Sequence, residues 1–242
     1  MSLIFKHQNV SFSLSVSAIE NKDLQQKIEI ALKDVFKGFI SCSAECIAFE
    51  FIFTDNIKSF IVDKEFVRVK DVKVGKNQTH FKDTELDFLI NNSNKFKVYI
   101  NISDNETLKS SLRIFNKAFK NNIELQISTF YYRIFLLFTQ IWNVENNCSY
   151  VHASAVEVNG KSILFTADSG VGKSSLLFKL SQDSNFKFIA DDLTIISDQA
   201  ESYYQGRCLS VKPYHLSFYN FLAGRLSLLM TRMQKLQWKF LK

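Results

Sequence analysis

At 242 residues, 46 % of them apolar and 24 of them phenylalanine, the chain has ample material for one large or two small domains, and it is too apolar to be disordered. The net charge of +6 is concentrated at one end, where seven basic and no acidic residues follow Glu201 (Arg207, Lys212, Arg225, Arg232, Lys235, Lys239 and Lys242), leaving a near-neutral body. The longest apolar stretch, 130–142, carries Arg133 and Gln140 and is too short to span a bilayer, and no basic-then-apolar leader opens the chain, so a cytoplasmic protein is expected.

The opening residues, MSLIFKHQNVSFSLSV, alternate like a strand. Asn21 is suited to cap a helix whose apolar face is Leu24, Ile28, Leu32 and Val35, ending near Gly38. Phe49, Phe51 and Phe53 mark a strand. Val67 and Val69 mark another, whose phase slips at Asp71 before Val72 and Val74, as a bulge would make it. Phe96, Val98, Ile100 and Ile102 form a half-buried strand with Lys95, Lys97 and Asn101 on its wet face. Leu108, Leu112, Phe115 and Phe119 share one helical face, and 125–142 is apolar nearly all round, which predicts a buried helix. The run Val144–Ser149 reads as a loop. Residues 1–130 are therefore expected to form an α+β region, and 131–242 a second domain.

Four cysteines (Cys42, Cys46, Cys148, Cys208) make no disulfide framework. Cys42 and Cys46 have a spacing that zinc sites use, but no second ligand pair follows, so ordinary reduced thiols are expected. Triplets such as Asn101-Ile102-Ser103 fit glycosylation acceptors, with no secretion signal to support them. His7, His80 and His215 have no context beyond surface or packing.

The second domain opens on a strand, Val151–Val158, which contains His152. Asn159-Gly160 follows, a pair that accepts the positive φ of a tight hairpin turn, and then Lys161–Ala167. That second strand feeds the run ADSGVGKS, Ala167 to Ser174, and a helix-like run with Leu176, Leu177 and Leu180 comes next. Strand, glycine-bearing loop and helix in this order make a phosphate-binding loop. Gly170 and Gly172 let several backbone N–H groups converge on one anion. Lys173 reaches the outer phosphates, and the Ser174 hydroxyl is a magnesium ligand. The helix adds its positive N-terminal end. Asp168, Ser169, Val171 and Ser175 complete the candidate nucleotide-binding stretch. Ala167 stands where the strict pattern has Gly, which is tolerable if its φ stays negative.

The strand Phe186–Ala190 then ends in Asp191-Asp192, and LTIIS reads as a further strand. An acidic pair after an apolar strand downstream of a phosphate loop is the expected other half of a magnesium–nucleotide site. One carboxylate would hold the metal and one would take a proton from an attacking hydroxyl; a solvated turn or a helix cap is the alternative. His152 lies on the hairpin strand that leads toward the same loop, either near the terminal phosphate or as an ordinary structural histidine.

The stretch from His152 to Asp192 resembles the catalytic domain of HPr kinase/phosphorylase and its relatives, which combine a strand histidine, an Asn-Gly or Gly-rich turn, a GxSGxGKS loop and a strand ending in Asp-Asp. The resemblance implies an α/β P-loop kinase core of the HPr kinase and PEP carboxykinase type, with a mixed sheet. It also implies a kinase that moves the γ-phosphoryl group of ATP, with Mg2+, to a hydroxyl, typically a serine of a protein or a precursor peptide. On this pattern His152 matches the active-site histidine, Asp191 the base, Asp192 and Ser174 the magnesium ligands, and Lys173 the phosphate-binding lysine. Ser175 departs from the acidic residue that follows GKS in the family, which weakens the case for the reverse dephosphorylation. The part after Asp192 is short, and only Arg207 suggests itself, by type, as the family's phosphate-contacting arginine. The short C-terminal part motivates an alternative, a non-catalytic nucleotide-binding scaffold. A guanine-selecting Asn-Lys-x-Asp run is absent, which disfavours a switch-type hydrolase.

From Leu222 onward the pattern is helical, with Leu226, Leu229, Met233, Leu236 and Phe240 on one side and the basic residues on another. It reads as a docked terminal helix, a patch for an acidic peptide or a membrane-surface helix, the first being the expected one. Nucleic acid is not an expected partner, because no aromatic-and-basic sheet motif or DNA-binding helix pair is present. The oligomeric state is left open.

Overall fold

The computed structural model describes residues 2–7, 10–41, 47–83, 86–91, 96–103, 122–168 and 170–204, together with positions 211, 215 and 224. The architecture is mixed α/β, with one large mixed sheet and few helices among the described residues. The chain divides into two units, Met1–Leu137 and Phe138–Lys242.

In the first unit, strands β1 (Ser2–His7), β2 (Val10–Ala18), β3 (Ile40–Ser41), β4 (Ile47–Thr54), β5 (Val67–Val69), β6 (Val72–Val74), β7 (Gln78–Lys82), β8 (Asp87–Asn91) and β9 (Phe96–Asn101) form a nine-stranded sheet of order β3-β1-β2-β4-β9-β8-β7-β6-β5. The β2–β4 and β4–β9 pairs are parallel and the others antiparallel. The opening alternation is folded into two strands rather than one. Phe5 and Phe12 become register partners, and their rings meet at 5.7 Å. Helix α1 (Lys22–Val35) starts where Asn21 Oδ1 accepts the Asp23 and Leu24 N–H groups, and it buries Leu24, Ile28 and Leu32. Val35 is only half-buried, and Phe36 rather than Gly38 closes the helix. Phe51 and Phe53 on β4, with Phe12, Phe36, Phe130 and Phe135, are the largest fully buried side chains, and their rings pack mostly tilted or edge to face.

The slip at Asp71 is a turn, not a bulge. Val69 pairs with Val72 across Lys70-Asp71, and Lys70 adopts φ 54°. A two-residue reversal shifts the alternation just as an inserted residue would. The strand sits at the sheet edge, where Val67 and Val69 are 71 % and 59 % exposed.

The apolar run 125–142 spans helix α2 (Asn122–Phe130), a π-helical turn (Tyr131–Phe135) and helix α3 (Leu136–Glu145). Its burial is one-sided: Phe130, Ile134 and Phe135 are buried, whereas Leu137, Ile141 and Val144 are 50 %, 54 % and 62 % exposed. The loop expected at Val144–Ser149 shrinks to Asn146-Asn147, because the helix runs to Glu145 and a strand starts at Cys148.

In the second unit, β10 (Cys148–Val151), β14 (Thr194–Ser197) and β15 (Ser202–Tyr203) form one antiparallel sheet, of order β10-β14-β15. A second sheet, of order β12-β11-β13, consists of β11 (Ser154–Val158), β12 (Lys161–Phe165) and β13 (Lys187–Ala190). Helix α4 (Lys173–Leu180) connects β12 to β13, buries Leu177 and Phe178, and packs on β11. Buried Cys148 has its thiol pKa raised by burial and, secondarily, by the Asp198 carboxylate. No helix among the described residues is long and apolar enough to cross a membrane. The helix expected on Leu108, Leu112, Phe115 and Phe119 lies outside the described residues, as do Cys42, Cys46, Cys208, Arg207 and, apart from Gly224, the basic terminal segment.

Candidate functional site

The β12-β11-β13 sheet assembles the site through its strand directions. Both β12 and β13 run antiparallel to the central β11, so they are parallel to each other with one strand between them. Ser154 pairs with Phe165 and Ala155 with Ala190, so β12 and β13 end at the same level. Three segments therefore leave one sheet edge together: the loop after Phe165, the carboxylates after Ala190, and the chain entering β11 from His152. Ligand sites in α/β folds form at the carboxyl ends of parallel strands for this reason.

The turn that sets this register is the predicted one. Val158 pairs with Lys161 across Asn159 (φ 51°) and Gly160 (φ 75°). At the other end of β12 the loop bends at Gly170 (φ 86°) and at Gly172 (φ 106°), which caps α4. Ala167 keeps a negative φ, the condition for alanine at that position. Asp168 and Val171 are exposed, and Ser169 lies outside the described residues.

Lys173 folds back over the loop, its Nζ donating to the carbonyl oxygens of Ala167 at 2.5 Å and Asp168 at 3.2 Å. This ammonium braces the loop carbonyls while its charge stays where an incoming anion would arrive. Ser174 lies in the first turn of α4, and its Oγ donates to Asp191 Oδ1 at 2.6 Å. A serine hydroxyl against a carboxylate oxygen is a hard-oxygen pair that suits Mg2+, which is satisfied with one or two protein ligands when phosphates and water supply the rest. Among the described residues no group of three or more His, Cys, Asp or Glu is placed to hold a metal ion.

His152 is not inside a strand, as the sequence suggested, but in a bend between β10 and β11. Ala153 N–H bonds back to the Val151 carbonyl, and Ala153 O accepts from the buried Thr194 hydroxyl, which breaks the run Val151–Val158 into two strands of different sheets. The bend turns the His152 ring toward Asp192, with Nε2 and Oδ1 3.1 Å apart; the two side chains are 55 % and 52 % exposed.

Ser154 and Thr194 escaped the sequence reading. The Ser154 hydroxyl donates to the Asp191 backbone carbonyl at 2.5 Å, fixing the acidic turn against β11, and Thr194 fixes the bend that carries His152. The sequence signal was weak: each is a hydroxyl residue in a strand-like run, two positions after a candidate site residue, and only the structure shows that both are fully buried. His215 is buried against Phe178 at 4.5 Å between ring centroids, which fits a packing role.

A cavity of about 1000 Å³ opens elsewhere in this unit, toward the turn end of the hairpin, and is lined by Glu157, Lys161, Glu201 and Tyr203 among others. None of the sequence-predicted site residues lines it. Glu157 there has its pKa lowered by the Lys187 ammonium and by the Gly160 N–H.

Neither a scan of protein-family models nor searches of curated proteins and of solved structures find a match to this chain.

Proposed function

We propose that this chain is an ATP-dependent kinase that transfers the γ-phosphoryl group to a hydroxyl, probed first as a serine of a protein or a precursor peptide. The observation that carries this reading is the meeting of Ser174, at the start of α4, with Asp191-Asp192 and His152 at one edge of the β12-β11-β13 sheet. The resemblance of residues 152–192 to HPr kinase/phosphorylase supplies the reaction class.

The work of such a site is positioning and charge neutralisation. The loop N–H groups and the N-terminus of α4 receive the phosphates. Lys173 exchanges its two carbonyl partners for phosphate oxygens, and Ser174 with an acidic neighbour holds the metal. Held by Ser174 and that carboxylate, Mg2+ would supply positive charge to offset the charge of the transferring phosphoryl group. A carboxylate of the pair receives the acceptor's proton.

The test is calorimetric titration with ATP and Mg2+, followed by incubation of labelled ATP with serine-bearing peptides. Binding followed by label on serine is the expected result. Lys173→Ala is expected to weaken binding by about 100-fold or more, because it removes the loop's fixed positive charge. Binding without transfer to any hydroxyl would return the scaffold reading, and absence of binding would end both. Preference for GTP in competition would move the chain to the switch class.

A further inference from the structure

Resting on the kinase reading, we propose that the two adjacent carboxylates divide their tasks in the opposite sense to the family pattern: Asp191 joins Ser174 on the metal side, and Asp192, held by His152, faces the acceptor hydroxyl. Two separate contacts carry this. The Asp191 carboxylate is already 2.6 Å from the Ser174 hydroxyl. Ser174 lies in the first turn of the helix that follows the phosphate loop, so a cation bound to that hydroxyl meets the Asp191 oxygen first. The Asp191 backbone carbonyl is fixed by Ser154, which limits how far the residue can turn away.

Asp192 is turned to a different neighbour, 3.1 Å from His152 Nε2. With its imidazole protonated, His152 forms an ion pair with this carboxylate. Both side chains are about half exposed, as a site reached by a macromolecular acceptor requires, whereas Asp191 is more enclosed. His152 is then a positioning residue that acts through Asp192.

The transfer step balances on this assignment. The acceptor oxygen attacks the γ-phosphorus and a new O–P bond forms. The bond from that phosphorus to the β,γ-bridging oxygen breaks, and its electron pair leaves on the nucleoside diphosphate. The hydroxyl proton passes to the Asp192 carboxylate.

The experiment compares Asp191→Asn, Ser174→Ala, Asp192→Asn, His152→Ala and His152→Gln in the full chain. It uses a fluorescent ATP analogue titrated with and without Mg2+, and labelled ATP with a degenerate serine-peptide library. Asp191→Asn and Ser174→Ala are expected to lose most of the Mg2+-dependent gain in affinity, about tenfold or more, while metal-free binding stays within about twofold. Asp192→Asn is expected to keep that gain and to lose transfer by about 100-fold or more. His152→Ala should lower kcat with little change in nucleotide affinity, and His152→Gln, which keeps an N–H donor, should recover part of the loss. Loss of the Mg2+ gain in Asp192→Asn with retention in Asp191→Asn overturns the assignment even if the kinase reading stands, and Ser174→Ala decides the metal side should Asp191→Asn fail to fold. A wild-type chain that binds Mg2+–ATP but transfers to no peptide fails the kinase reading and the Asp192 half with it, while the Mg2+ readout still decides the Asp191 half.

Discussion

A carboxylate held inside a sheet must be matched by donors, and Asp87 shows what that matching costs and returns. Its side chain is 12 % exposed, and it accepts from His80 Nε2 at 2.8 Å, Lys82 Nζ at 2.9 Å and Asn101 Nδ2 at 3.2 Å. Burial pushes its pKa up, but the hydrogen bonds from His80 and Lys82 outweigh burial and hold it below the usual carboxylate value. A folded pKa below the unfolded one, about 3.9, means stability that is fully present above that value and is lost as pH falls through the lowered folded pKa. Asp87→Asn is therefore expected to destabilise the first unit by about 2 kcal/mol at neutral pH, leaving Lys82 and His80 without their carboxylate. In urea melts the gap between wild type and variant should close progressively below about pH 4. A gap that stays constant through acid pH would show that shape rather than charge sets the loss.

One strand, β12, ends in two glycine-bent turns that are alike in backbone and different in purpose. Gly160 (φ 75°) and Gly172 (φ 106°) both have positive φ, and an added Cβ at either would meet nothing within 4 Å. Alanine at either position should cost stability through backbone strain alone, about 1–2 kcal/mol. Only Gly172 belongs to the candidate phosphate loop, so on the kinase reading Gly172→Ala should weaken ATP binding by about tenfold or more, and Gly160→Ala should leave the affinity of the folded protein unchanged. Urea midpoints with calorimetric titrations separate the two effects, and equal affinity losses would remove the loop's special role. The same strand shows what was legible in the sequence. Turn chemistry is local, so Asn159-Gly160, the Asn21 cap and the glycines of the loop could be read directly. Pairing partners are not local: the Lys70-Asp71 turn imitated a bulge, and the break at His152 depends on Thr194, 42 positions away. The exposed side of α3, with Leu137, Ile141 and Val144, was illegible for a related reason, since apolar composition does not say which face finds a neighbour.

At the scale of the molecule, the aromatic core and the candidate site belong to different units, so perturbations of each should leave different footprints. Phe51, fully buried on β4, has Phe130 and Phe135 ring neighbours at 5.3 Å and 5.9 Å. Phe51→Ala should cost about 3–5 kcal/mol as a core cavity, and amide exchange should rise along β2, β4 and β9, the strands that meet at that position. A bound nucleotide acts oppositely, by mass action: at 100 times its dissociation constant it stabilises the state that binds it by about 2.7 kcal/mol. Because three chain segments converge at one sheet edge, protection from Mg2+–ATP should appear together at 166–176, 187–192 and 151–156 in hydrogen-exchange mass spectrometry. Protection confined to the loop would mean that the carboxylates and His152 take no part in holding the ligand. Protection centred on 47–54 would place the binding site in the Phe-rich sheet and remove the basis for the kinase reading.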